Sequence, residues 1–560
     1  MLRRLLAAAT VLLCFIHLVA YRASGWMART LLVHRTLDRE LQPEARWIAL
    51  LHAILLRSGC VSLLVLGAVV VLLGIPRTRD EILGFFTAKA GPLDVAMFRV
   101  VFFAAFLLVF DGEQTAFFAG LPQVLVQGLS DPLQLWRFIV PSPTLTTILI
   151  PVFRGCCLLA CVGLFTRPAA LGVCVLGFYL LGLPQVYGKV DHDHHLLWFS
   201  LILALSPAGD ALSVDALLSS PTKRPPSEER VAYALPLRII WLLFGVMYFW
   251  PGFWKLVQHG PAWVLPANFR AHLYIKWFED QTFTPLFRID HHPWLCLLGA
   301  SFAIVFELSF VFLILFRRTR PLAVVLGLVF HNATFLFMNI SFLSLQLCYA
   351  AFIDWSRLRD WLAPRVFEPG STLQRGGAAL LERTRAALHK AAGPRLIAWA
   401  SADLDEASVV RRLAIAGAVL VSVNLGYGAM HQTDAWPFAC YPTFSTVIKP
   451  QYRSLFVTIL DPASGTRSAR MSSLLDAFRS ERYAGVVLGI LSERDELRRQ
   501  RKLEALASLV RALEPSVKPG DIITIGEALF STDPDAPRTP QKEERLYGFQ
   551  VREEGVAWMP

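Results

Sequence analysis

The sequence predicts an all-α polytopic membrane helix bundle of about 9–11 transmembrane helices, with a small extracytoplasmic α+β domain at its C-terminus. Three observations predict it. Over 560 residues the chain is 55% hydrophobic and only 17% charged, with a mean hydropathy of +0.48, a composition that soluble domains do not reach. Apolar runs recur at the length that crosses a ~30 Å hydrocarbon core. Basic residues gather in the short loops between those runs, the pattern that sets membrane topology. The formal charge of +11 is therefore a topology signal, and no basic patch interleaved with aromatics points to a nucleic-acid partner.

Candidate spans lie near residues 3–21, 57–75, 94–111, 145–165, 167–184, 194–208, 235–254, 294–316, 321–338, 340–355 and 412–429. The first follows "MLRR" and reads as an uncleaved anchor, making 1–88 an N-terminal anchor region with two transmembrane helices. The basic stretches "PRTRDE", Arg167, "TKRPPSEER", "RRTR" and 356–412 all reach the cytoplasm in one self-consistent alternation. That alternation places the N-terminus inside, and residues 187–193, 257–293 and everything beyond 430 outside. Residues 361–411 read as a basic cytoplasmic connector that lies along anionic headgroups, and 412–429 as the last span. In 430–560, "SLFVTIL", "GVVLGIL" and "DIITIGEAL" read as buried strands, and "ERDELRRQRKLEALASLVRALE" as an exposed helix.

The nine cysteines show no metal spacing and mostly sit inside apolar runs, where a thiol behaves as a small hydrophobe. Cys440 is a candidate for pairing with Cys60 or Cys296, which spacing does not decide.

Chemistry concentrates in "YGKVDHDHHLLWF" (187–199). A lone lysine before an apolar helix ordinarily snorkels, and Asp191 or Asp193 can cap the helix that follows. Histidines at a helix N-terminus are kept neutral by the helix dipole and can relay a proton. A metal is the weaker alternative: His192 and His194 beside His195, with His291 from a second "DHH" at 290–292, offer imidazoles but lack a recognised ligand spacing. Further along, Tyr248, Trp254 and Lys255 in "YFWPGFWKLVQHGPAWV" read as an aromatic interfacial belt. His331 and Asn332 fall in the middle of a span and are expected to face the bundle interior. Glu307 in "AIVFELSFVF" needs a partner, either one of the histidines or Lys255.

Taken in order, "GK…HH" before a span, "LSP", "SVDALL", "YFWPGFWKL" and "VFHNATFLFMN" resemble the HTTM (horizontally transferred transmembrane) domain family, whose best understood members are the vitamin K-dependent gamma-glutamyl carboxylases. The similarity covers residues 89–360. It implies an enzyme that deprotonates and oxygenates a naphthohydroquinone, reduced vitamin K or menaquinol, to its epoxide with O2, and that can couple this to addition of CO2 to glutamate in a partner protein. No metal is implied. By resemblance Lys189 is the base and His195 and His331 are catalytic, with Lys255, Tyr248, Trp254 and Asn332 at the quinone. Pro251 stands where the family has a small residue, and Asn332 is shifted from the family's asparagine. Two other readings stay open: a quinone-binding redox protein without epoxidase activity, and a non-enzymatic maturation or immunity factor whose outer domain binds its partner.

Overall fold

The computed structural model describes residues 11, 14–23, 44–129, 131–188, 193–219, 229–280, 283–366, 372–400, 405–433, 435–440, 444, 447–448, 451–462, 465–468, 472–537 and 541–559. The expected anchor at 3–21 lies partly outside them. Among the described residues, eight helices are long and apolar enough to cross a membrane. They belong to α1 (Glu44–Gly74), α3 (Pro92–Val109), α4 (Pro143–Val162), α5 (Thr166–Leu180), α7 (Val231–His259), α9 (Pro293–Leu313), α10 (Arg320–Met338) and α12 (Glu406–Ala429). Between them come α2 (Pro76–Thr87), α6 (His194–Leu205), α8 (Pro266–Glu279) and α11 (Leu343–Leu347). Large apolar side chains on the outer faces, such as Leu64, Leu108, Val175 and Val305, stay exposed, as a surface solvated by lipid tails requires. α7 runs through the middle, with most of its length buried.

Two expected spans are corrected. α6 is 12 residues long, ~18 Å at 1.5 Å per residue, too short for the hydrocarbon core. The run at 340–355 breaks into α11 and a 3-10 turn over Cys348–Phe352. Both short elements start at one depth, where Ser344 Oγ donates to Asp193 Oδ1 at 3.4 Å. Both end at one face, where Arg167 Nε donates to the Ser206 carbonyl and Ser356 binds Asp94.

That face collects the basic loops. Ala90 and Arg230 pair through their backbones, Arg320 stands over the ring of Phe85, and Arg385 reaches the Ser219 carbonyl. The connector contains helices Trp355–Val366, Thr372–Ala391 and Pro394–Ala400.

The opposite face carries the C-terminal domain, a five-stranded antiparallel sheet in the order β2-β1-β3-β4-β5. The strands are β1 (Gln451–Asp461), β2 (Gly465–Ser468), β3 (Ile522–Ser531), β4 (Lys542–Val551) and β5 (Val556–Met559), with helices α13 (Ser472–Leu491) and α14 (Glu496–Leu513). Leu455, Val457 and Ile459 are buried on β1 at the period of two that a one-sided strand needs. "GVVLGIL", expected to be a strand, instead completes α13, burying Val486, Val487 and Ile490 at helical spacing; a short apolar run fits either period until its neighbours are known. The domain is bolted to the bundle. Gln127 Nε2 donates to the Gly485 carbonyl at 3.0 Å, Arg482 to Gln185 Oε1 at 3.1 Å, and Arg288 grips Asp535. All nine cysteines are free thiols, so Cys440 is paired with neither Cys60 nor Cys296.

Candidate functional site

Helical spacing puts Tyr248, Pro251 and Lys255 on one side of α7, and His331, Thr334 and Met338 on one side of α10. All six line a cavity of about 170 Å³. α9 closes it from a third side, and Gly252 explains how closely. A Cβ there would lie 2.9 Å from Glu307 Cβ and 3.1 Å from Leu308 Cγ, so only glycine lets α9 approach until Glu307 stands beside Lys255.

The walls are mostly apolar and rich in aromatic rings, with Phe302, Phe330, Phe337 and Phe342 among them. Two polar pairs interrupt them. Lys255 Nζ meets Glu307 Oε1 at 2.5 Å, with the ammonium also 4.8 Å from the Trp263 ring centroid. Tyr248 Oη lies 2.5 Å from His331 Nε2 and 3.0 Å from Tyr349 Oη. These contacts make a buried ion pair and a three-membered hydrogen-bond chain along which a proton can move. Glu307 Oε2 has no hydrogen-bond partner among the described residues, leaving one carboxylate oxygen of a cavity-lining residue open to a donor.

The remaining polar residues of the wall are Thr334, whose hydroxyl donates to the His331 carbonyl at 2.8 Å, and His272 of α8, beside Phe444 at 5.1 Å between centroids. Phe444 comes from beyond α12, and its carbonyl accepts from Trp263 Nε1 at 2.6 Å. The chain after α12 thus closes the cavity toward the C-terminal domain.

The structure brings together Tyr248, Lys255 and His331 of the sequence-predicted residues, and confirms the expected partner of Glu307. It does not bring in the others. Asn332 points outward, exposed, its amide donating to the Leu328 carbonyl at 2.8 Å; one residue along a helix turns the side chain by about 100°, so the neighbour of an inward His331 leaves the interior. Trp254 faces α12, donating to the Gly428 carbonyl at 2.8 Å and packing on His431 at 4.4 Å, an imidazole whose burial pushes its pKa down to about 4.

His195 is wholly buried beside Phe199, outside the cavity wall. His194 Nε2 lies 3.2 Å from the Ala435 carbonyl, with Trp436 packed against its ring; its role in the fold is to hold the segment after α12. His291 is exposed beside Asp290. Among the described residues no group of His, Cys, Asp and Glu is placed to hold a metal. Lys189 and His192 lie outside the described residues. The nearest described residue after Lys189, Asp193, touches Ser344, which stands between the cavity-lining Phe342 and Leu345.

Sequence reasoning missed His272, Tyr349 and Phe444. His272 lies in a mixed polar helix that looks interfacial, and Tyr349 in an apolar run, so neither carries a local signal. Every wall residue except Phe444 falls between 247 and 345, and the HTTM domain family model matches residues 90–355. Residues 90–355 form an HTTM domain. No curated protein matches the chain, and no solved structure does. The HTTM domain therefore owns the cavity, and the segment beyond it contributes the closing phenylalanine.

Proposed function

We propose that the HTTM domain is an enzyme that binds a lipid-soluble hydroquinone, of the reduced vitamin K or menaquinol type, in the cavity between α7, α9 and α10. The observation that carries the reading is the pairing of an apolar, aromatic-rich cavity with Glu307 Oε2, a buried acceptor lacking a donor among the described residues. A cavity of about 150 Å³ admits a benzene-sized ring, so one of about 170 Å³ suits an aromatic head whose isoprenoid tail leaves between helices. The ring stacks among phenylalanines, one phenolic hydroxyl donates to Glu307 Oε2, and the chain of Tyr248, His331 and Tyr349 carries the proton that is released. Lys255 holds Glu307 in place through its other carboxylate oxygen.

The base, by resemblance, is Lys189, and its described flank abuts α11 at the cavity's edge. Once deprotonated, the ring anion reacts with O2; one oxygen atom enters the epoxide and the other leaves as water. The strong base formed on the way can remove a γ proton from a glutamate side chain of a partner protein, and CO2 then adds to the carbanion. Exclusion of water is what lets such a base survive. The basic face is cytoplasmic in this reading, so the cavity and the C-terminal domain belong to the extracytoplasmic half.

The test is epoxide formation from a reduced naphthoquinone and isotope-labelled O2 by the purified full chain in nanodiscs, with and without a glutamate peptide and labelled bicarbonate. Labelled epoxide that falls by about 10²–10⁴-fold in Lys189→Ala, the usual worth of a general base, supports the enzyme. Quinone binding without oxygen uptake would reduce the reading to a quinone-binding redox protein, and no quinone binding at all would end it.

A further inference from the structure

At the basic face, two arginines from different helices share one ring. Arg238 Cζ of α7 stands 3.9 Å from the centroid of Trp241, and Arg320 Cζ of α10 stands 4.4 Å from it. Phe85 of α2 lies within reach of both, at 5.3 and 5.9 Å. Phe352 stacks on Trp241 at 4.9 Å and 7°, covering one ring face, and the indole N–H is spent on the Ala351 carbonyl. The two guanidinium groups are thus crowded together beside one indole. Like charges at this spacing repel, the more so away from bulk water.

Among the described residues nothing neutralises them. Neither arginine has an ion-pair partner among the described residues. Arg320 spends its Nε–H on the Ile314 carbonyl at 3.0 Å, while Arg238 Nε and Nη1 have no acceptor among the described residues. The acids that face them are engaged elsewhere or open to solvent. Asp94 accepts from the backbone of Gly91 and Ser356 and from Ser356 Oγ, Asp354 accepts from the Arg357 backbone, and Glu81 is exposed on α2. Arg317 and Arg318, exposed on the turn before α10, add to the positive field.

We propose that Arg238 and Arg320 hold the phosphate of an anionic phospholipid. Depth fits the assignment: α7 has 29 residues and is ~43 Å long, more than the hydrocarbon core, so Arg238, ~10 Å from its start, lies near the core's boundary, from which an arginine side chain reaches the headgroups. Planar guanidinium forks match phosphate oxygens in pairs, and basic pockets between transmembrane helices are headgroup sites. A lipid is favoured over free phosphate by what flanks the pair: Leu83 and Phe86 on α2 and Leu322 and Val325 on α10 are exposed, an outward apolar surface on which acyl chains can lie.

The test uses the purified full chain in nanodiscs of phosphatidylcholine with graded phosphatidylglycerol, reading melting temperature and the phospholipid retained by native mass spectrometry after delipidation. Wild type is expected to retain phosphatidylglycerol preferentially and to melt higher as its fraction rises. Arg320→Gln should lower apparent affinity about fivefold, the share of one basic residue near a charged surface, while Arg318→Gln on the same turn changes little. If Arg320→Gln does not fold, Arg320→Lys decides, because it keeps the charge and loses the planar fork; weaker retention supports the site and unchanged retention overturns it. Wild-type retention by a folded Arg320→Gln would overturn the proposal. So would an equal rise in melting temperature from inorganic phosphate in pure phosphatidylcholine, which would transfer the site to the free ion.

Discussion

Lys255 Nζ lies 2.5 Å from Glu307 Oε1, with 3% and 5% of the two side chains exposed. A pair so far from water is a poor source of net stability but a severe liability when halved, because the remaining charge has nowhere to go. Lys255→Met and Glu307→Leu should each destabilise the protein by about 3–5 kcal/mol, whereas the double variant Lys255→Met with Glu307→Leu should be close to neutral. Thermal unfolding in detergent measures the non-additivity. Additive losses would show that the two residues act independently.

Tyr248 joins two other side chains through one oxygen, so Tyr248→Phe removes the link between His331 and Tyr349 while keeping the ring. The cost to folding should be about 1–3 kcal/mol for the partners left unmet. If the cavity takes a hydroquinone through this chain, affinity should fall about tenfold, equivalent to ~1.4 kcal/mol, measured by quenching of protein fluorescence by the ligand. An unchanged affinity would remove Tyr248 from the site.

Gly327 is the reason Tyr349 can reach Tyr248. A Cβ at that position would lie 1.9 Å from Tyr349 Oη, so Gly327→Ala must displace the phenol and break its 3.0 Å contact. A loss of about 1–3 kcal/mol is expected from overpacking, together with the weakened ligand binding of Tyr248→Phe. Gly67→Ala on α1, where a Cβ meets nothing within 4 Å, is the control and should be neutral or slightly stabilising. Equal melting temperatures for the two variants would contradict the packing.

The junction with the C-terminal domain should loosen in acid. Arg288 binds Asp290 at 2.8 Å and Asp535 at 2.9 Å. Burial by itself would raise Asp290, but hydrogen bonds from Arg288 and Tyr274 outweigh it and hold the carboxyl below its ordinary range; Arg288 likewise holds Asp535 down. A carboxylate depressed in the folded state contributes stability above its unfolded pKa of ~3.9 and loses it as pH falls through the folded value. Protection factors from hydrogen exchange, corrected for the intrinsic pH dependence, across 283–292 and 531–537 should therefore be flat from about pH 5 to 8 and fall below about pH 4. Arg288→Gln should raise exchange at neutral pH and abolish most of the acid response.

Much of this architecture is legible in one dimension. Hydropathy finds the long spans because each must cover the hydrocarbon by itself, and the loop arginines sort into one face because each loop is short. Glu307 announces a partner, since a carboxylate in an apolar run is too costly to leave alone. The same logic misleads at His331 and Asn332, two polar neighbours in a span, because hydropathy does not say which side of a helix meets protein and which meets lipid.

What the sequence by itself determined is the membrane bundle, its HTTM segment and the chemical types available within it. The tertiary structure alone decided that α6 and α11 stop short, that "GVVLGIL" is helical, and that Lys255, Glu307, Tyr248, His331 and Tyr349 meet around one cavity. The physical reason is range. Burying an apolar run is a local demand that each segment meets alone, whereas a hydrogen bond between residues some fifty to a hundred positions apart exists only once close packing at glycines such as Gly252 and Gly327 has set the distance between helices.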